Sequence, residues 1–211
     1  MAAPAPRIPR WTSAIVILCC VTEVALQLAD LGGWPGLRHA TVLYGAFWSQ
    51  LMHGDPGLVA GQGLWMFASY GLLHAGFLHL AMNMVSLAAV ARELRRLMPV
   101  GQMALAYGVS QIAAAGIYGW MEPMGGPMIG ASGAVFGLAG ALVGYATIWR
   151  LRTERPMRPV LRAVALVLGL NVALTLLMPQ IAWQAHLGGA VTGLLIGLIA
   201  AHLRVSRVAM R

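Results

Sequence analysis

The sequence predicts an all-α polytopic membrane protein: a bundle of six transmembrane helices with a long first loop lying at the membrane interface. Three observations predict it. The first is composition. Of 211 residues, 59% are hydrophobic and only 9% charged, against about 25% charged residues in an ordinary soluble domain. The second is a series of six apolar runs of about 20 residues, each enough to cross a hydrocarbon layer of about 30 Å. The third is the placement of the basic residues. All 14 are arginine, and if six spans alternate, only Arg38 falls on the opposite side from the rest. The net charge of +8 is therefore read as membrane topology under the positive-inside rule and not as a nucleic-acid surface, because apolar runs separate the arginines.

Residues 1–10 are rich in Pro, Ala and Arg and are expected to form a cytoplasmic tail, with Arg7 and Arg10 just ahead of the first span, Trp11–Leu31. A signal peptide is the competing reading of this start. Against it, the apolar run continues into Glu23, Gln27 and Asp30 with no small-x-small cleavage site. Those three polar residues stand at i, i+4 and i+7, on one helical face, which should point into the bundle because unpaired polar groups are costly in lipid. Cys19 and Cys20 are adjacent, which makes them poor disulfide partners, so they read as apolar filler.

Residues 32–73 form a long connection containing Trp34, Tyr44, Phe47, Trp48, Trp65, Phe67 and Tyr70. Aromatics gather at the membrane–water boundary, so the connection is expected to lie there, with a job or short helices of its own. The remaining spans are expected at His74–Leu94, Val100–Trp120, Met128–Trp149, Pro159–Met178 and Ile181–Leu203. Arg92, Arg95 and Arg96 follow span two; Arg150, Arg152, Arg155, Arg158 and Arg162 join spans four and five; Arg204, Arg207 and Arg211 follow span six. The expected organisation is a single membrane domain over 11–203 and a basic tail over 204–211. Both termini are then cytoplasmic, in a membrane of the bacterial cytoplasmic type. No fixed-period repeat and no inverted pairing of broken helices stands out, which weakens a transporter reading.

Chemistry concentrates around Gly130-Ala131-Ser132-Gly133. The flanking glycines, Gly130 and Gly133, let the backbone turn tightly beside a hydroxyl. The arginines serve as depth markers: Ser132 lies 18 residues before Arg150, His186 lies 18 before Arg204, and His79 lies 17 before Arg96. At 1.5 Å per residue, all three stand about 25–27 Å above the cytoplasmic boundary, on spans running the same way. A hydroxyl becomes a competent nucleophile when a base removes its proton, and imidazole is the usual base near neutral pH. His79 and Asn83 share a helical face one turn apart, where their donors could stabilise an oxyanion. Each residue also has a plainer reading. A membrane histidine can bond a neighbouring carbonyl, a serine among glycines can be a packing residue, and Asn83 can be interhelical glue. Zinc on His74, His79 and His186 is disfavoured, since no H-E-x-x-H helix or neighbouring carboxylate accompanies them.

Small residues repeat every four positions in span six (Ala185, Gly189, Gly193, Gly197, Ala201) and in span four (Gly133, Gly137, Ala141, and again Gly140, Gly144). Such rows let helix backbones approach closely in lipid, which a serine–histidine hydrogen bond between two helices requires.

Three of these segments together resemble the rhomboid family of intramembrane serine proteases: Gly130-Ala131-Ser132-Gly133 as G-x-S-G, His79-Leu80-Ala81-Met82-Asn83 as H-x-x-x-N, and Ala185-His186-Leu187-Gly188-Gly189 as A-H-x-x-G. The resemblance covers roughly residues 65–200. It implies a nucleophile at Ser132 and a general base at His186, a dyad with no acidic third member. It further implies an oxyanion hole of His79, Asn83 and the Ser132 backbone N–H. His74 matches a further upstream histidine, and Phe136 an aromatic that packs on the base, where tyrosine is frequent. The implied partners are transmembrane protein substrates and lipid, cut near the outer end of the segment, with no nucleic acid, metal or cofactor. One departure stands out: where many members carry Trp-Arg ahead of span two, this chain has Trp65-Met66. No further soluble domain is evident within the chain, so substrate selection is expected to rest on the spans and loop. The alternative function is a catalytically silent membrane-protein binder of the same fold, which the presence of Ser132 disfavours.

Overall fold

Prolines and arginines punctuate the apolar runs, and the helices form between them. The computed structural model describes residues 7–177 and 181–209. Helix α1 (Arg10–Leu31) begins directly after Pro9, and α6 (Val100–Met121) directly after Pro99. α5 (Phe77–Leu94) and α7 (Ser132–Arg152) each carry arginine in the last turn, where a cation complements the negative end of the helix dipole. α8 (Arg158–Leu177) and α9 (Trp183–Ala209) complete the long helices. Among the described residues, five helices are long and apolar enough to cross a membrane: α1, α5, α6, α7 and α9. This is a helical, polytopic membrane fold. Met178, the expected end of the fifth span, lies outside the described residues, as do parts of both termini.

Span six begins at Trp183 instead of Ile181, and two further spans begin later still, each for a local reason. Span two starts at Phe77 instead of His74, because Gly76 adopts φ +89° and interrupts the helix; His74 therefore precedes the helix. Span four starts at Ser132 instead of Met128, because Met128 is tied into an antiparallel bridge with Phe47 and Gly130 adopts φ +120°.

The connection over 32–73 folds into α2 (Gly36–Gly45), a short α3 (Ser49–Met52), α4 (Gln62–Ser69) and a 3-10 turn, Tyr70–Leu72. Its aromatics divide. Trp34, Tyr44 and Trp65 remain exposed, as an interfacial loop requires. Phe47 and Tyr70, with Met66, are buried against Ala114 and Ala115 of α6 and Ala185 of α9. Phe47 meets Phe67 edge-on at 5.1 Å between centroids. The connection is thus part cover and part core.

The polar face of α1 faces this loop. Arg38 of α2 donates to Glu23 at 3.0 Å and to Asp30 at 2.6 Å, and Gln27 donates to Glu23 at 2.9 Å. Glu23 is fully buried, so the pairing meets the requirement that a buried charge be compensated. The hydrogen bond with Glu23 raises Arg38 above its ordinary value, with desolvation opposing. Cys19 is buried and Cys20 half-buried, both free thiols.

The closest helix pair is α7 against α9. A Cβ added at Gly189, Gly193 or Gly197 would strike the carbonyl of Gly133, Gly137 or Ala141, and one added at Gly140 or Gly144 would strike Ala190 or Leu194. The expected small-residue rows are therefore the seam itself, with backbone lying directly on backbone. Large apolar side chains point outward instead, including Ile17, Leu78, Val85, Leu166 and Ile199, the arrangement lipid favours. α7 and α9 run parallel: Ser132 meets His186 at one end, and Arg152 meets His202 at 3.0 Å toward the other. α8 returns the chain between them and leans on the rim of the bundle, its apolar side chains largely exposed.

Candidate active site

Ser132 is the first residue of α7, and the segment before it is fixed from two sides. Phe47 and Met128 exchange backbone hydrogen bonds at 3.0 and 2.9 Å, and the Gly130 N–H donates to the Tyr70 carbonyl at 2.9 Å. Gly130 is needed here twice. Its φ of +120° is one that side-chain-bearing residues rarely adopt, and a Cβ would sit 2.8 Å from His79 Cε1. Gly133 is needed for room: a Cβ there would lie 2.5 Å from that of Ala114.

Across the seam stands His186 of α9, buried. Its Nε2 lies 2.8 Å from Ser132 Oγ. Its Nδ1 lies 2.9 Å from Oδ1 of Asn171 on α8. Phe136, four residues after the serine and on the same helical face, stacks on the imidazole with centroids 4.4 Å apart and planes inclined by 6°. The ring is thus fixed on three sides. An amide oxygen facing Nδ1 accepts a hydrogen bond from Nδ1–H of a neutral imidazole, leaving the Nε2 lone pair toward the serine O–H.

His79 of α5 approaches from the other flank, beside Gly130. The Ala75 N–H donates to His79 Nδ1 at 3.2 Å. A backbone N–H can only donate, so the neutral ring carries its proton on Nε2, the nitrogen beside Gly130. Asn83, one turn further on, donates one amide hydrogen to the His79 carbonyl at 3.0 Å, and its NH2 group has a second. His74 is buried and meets the His79 ring edge-on at 5.2 Å. The backbone N–H groups of the first turn of α7 have no partner within the helix and add a partial positive charge beside Ser132.

The structure therefore gathers Ser132, His186, Phe136, His79, Gly130 and Gly133 at one place, with His74 reached through His79. Asn83 shares the His79 face without touching Ser132. Asn171 is absent from the sequence-based set. Its signal was present, since it is the one polar residue between Arg162 and Thr175, but no motif singles it out.

The segment that carries these side chains falls within a known family model. The rhomboid domain model matches residues 61–203. The chain belongs to the rhomboid family. Among similar proteins, the "Putative rhomboid protease YdcA" of Bacillus subtilis is 31% identical over 162 residues, covering 76% of this chain and 77% of that one. "RHOMBOID-like protein 5" of Arabidopsis thaliana is 29% identical over 137 residues, 64% of this chain and 43% of that one. "Rhomboid protease GluP" of Bacillus subtilis is 30% identical over 180 residues, 81% of this chain and 32% of that one. This rhomboid chain thus spans less than half the length of the plant relative and of GluP, and most of the length of YdcA.

Proposed function

We propose that the protein is an intramembrane serine endopeptidase that hydrolyses peptide bonds in or near transmembrane segments of other membrane proteins. The observation that carries this reading is the 2.8 Å hydrogen bond between Ser132 Oγ and His186 Nε2, made between two parallel helices whose contact leaves no room for a Cβ.

In the proposed cycle, His186 Nε2 takes the Ser132 proton as Oγ bonds to the substrate carbonyl carbon. The charge that develops on the carbonyl oxygen is met by the Ser132 backbone N–H, His79 Nε2–H and the second amide hydrogen of Asn83. Each such donor is worth about 3 kcal/mol in a serine protease. The tetrahedral centre collapses, the C–N bond breaks, and the departing amine takes the proton from His186. Water then attacks the acyl-enzyme ester, His186 accepts the water's proton, and collapse releases a carboxylic acid and restores the Ser132 hydroxyl. Phe136 keeps the imidazole plane in line with the serine, and Gly130 and Gly133 keep the approach open. Substrates are transmembrane proteins met in the lipid, cut at the end of the segment away from the arginine-rich side.

The test is cleavage of a tagged transmembrane substrate in liposomes. Wild type should cut it, and Ser132→Ala and His186→Ala should each lose activity by at least about a thousandfold. Cleavage at the wild-type rate by both variants would sink the reading. Labelling by a fluorophosphonate should disappear with Ser132→Ala.

A further inference from the structure

We propose that Asn171 is a positioning residue for the base, completing a Ser132–His186–Asn171 relay in which the third member is a neutral amide on α8. The inference rests on the protease reading above. The family resemblance implies a dyad, yet His186 Nδ1 is not left to solvent or to a backbone carbonyl: Asn171 Oδ1 stands 2.9 Å away.

Three considerations favour this role over simple interhelical glue. First, the bond ends on the one nitrogen whose protonation decides whether Nε2 can act as a base. With the amide oxygen facing Nδ1, the proton is held there and Nε2 offers its lone pair to Ser132. With the amide reversed, Asn171 would donate to Nδ1, and Nε2–H would point at the serine, unable to take its proton. Second, the opposite side of the site is ordered the same way. The Ala75 N–H fixes the other tautomer at His79, with the proton on Nε2. The two histidines thus carry opposite tautomers, one suited to accept a proton and one to donate a hydrogen bond. Third, Asn171 is alone among apolar residues from Ala163 to Leu174. An amide on a lipid-facing helix is costly without a polar partner, and the Asn171 amide meets His186.

The test uses the full-length protein in liposomes with the cleavage assay above. Asn171→Ala should lower kcat by roughly tenfold to a hundredfold, less than the ~10⁴-fold seen when a triad aspartate is replaced by its amide. KM and the thermal midpoint should stay near wild type. Asn171→Asp, which as a carboxylate can accept but not donate, should restore most of kcat. Nitrogen-15 NMR of labelled His186 should show Nδ1 protonated in wild type and a mixture of tautomers in Asn171→Ala. Full kcat in Asn171→Ala, or no recovery in Asn171→Asp, would overturn the proposal, as would an unchanged His186 tautomer in Asn171→Ala. The NMR measurement needs no turnover. A wild type that fails to cleave therefore removes the protease reading while the tautomer assignment is still decided.

Discussion

Phe136 shows what a single side chain does in this site. A ring lying 4.4 Å from the His186 imidazole and inclined by 6° restrains rotation of that imidazole about its own χ2, together with the hydrogen bonds at its two nitrogens. Stacked aromatic pairs are worth about 0.5–1.5 kcal/mol beyond their buried area. Phe136→Leu keeps the apolar volume but loses the flat face, so kcat should fall by about twofold to tenfold, while Phe136→Tyr should retain the wild-type rate. Steady-state cleavage by the two variants checks this; equal rates for wild type and Phe136→Leu would show that the ring only fills space. At this scale the sequence was informative wherever position along a helix axis decides contact. Ser132, His79 and His186 could be levelled by counting residues from the nearest arginine, because their helices run the same way. Asn171 could not, since α8 runs the other way and its amide reaches sideways to the imidazole. Nothing in a residue count reports a lateral approach.

The seam between α7 and α9 is the element on which the site depends, because each helix carries one of the two groups of the proposed dyad. A Cβ at Gly193 would coincide with the Gly137 carbonyl, and backbone cannot give way as a flexible side chain can. Gly193→Ala must push the helices apart, opening the gap between Ser132 and His186 at one end of the same seam. Overpacking of this kind costs about 1–3 kcal/mol, and the variant should lose both thermal stability in detergent and proteolytic rate. Gly108, inside α6, meets nothing within 4 Å of an added Cβ. Gly108→Ala should leave both quantities unchanged or raise stability slightly, since alanine is the better helix former. Equal behaviour of the two variants would remove the seam as the determinant of the site. The four-residue period of small side chains made this contact legible in the sequence. The helix starts were less so, because φ values of +89° at Gly76 and +120° at Gly130 come from tertiary contacts that hydropathy does not encode. The loop's division into cover and core was hidden for a similar reason: Phe47 and Trp34 are both aromatic, and the bridge to Met128 and the packing on Tyr70 and α6 that hold Phe47 inside are tertiary contacts.

For the whole molecule, the direction in which α8 runs separates five membrane crossings from six. Five helices meet the length and composition for crossing, and α8 decides the count. The α7 helix ends at Arg152, beside His202 near the end of α9, whereas α9 begins beside Ser132 at the start of α7. The chain must therefore travel back the full length of α7 before α9 can start. α8 has 20 residues, about 30 Å at 1.5 Å per residue, which is that distance and also the thickness of the hydrocarbon layer. Six crossings place Arg10, Arg96, Arg152 and Arg204 on one face. Arg204 indeed donates to the Leu97 carbonyl at 2.7 Å and lies 3.0 Å from the Tyr145 hydroxyl, joining the ends of α5, α7 and α9. The one arginine left on the far side, Arg38, is no free charge there, because Glu23 and Asp30 hold it. One arginine on that side among the 14 of the chain leaves the positive-inside bias in place. Reporters fused in turn to the N-terminus, to the 153–157 turn and to the C-terminus should all report the cytoplasmic side, and one inserted near Gly54 the opposite side. A C-terminal reporter on the outer side would mean an odd number of crossings, with α8 lying along the membrane surface. That outcome would start α9 at the Arg152 end of α7, away from Ser132, so the Ser132–His186 pair and the proposed relay both stand or fall on the path of α8.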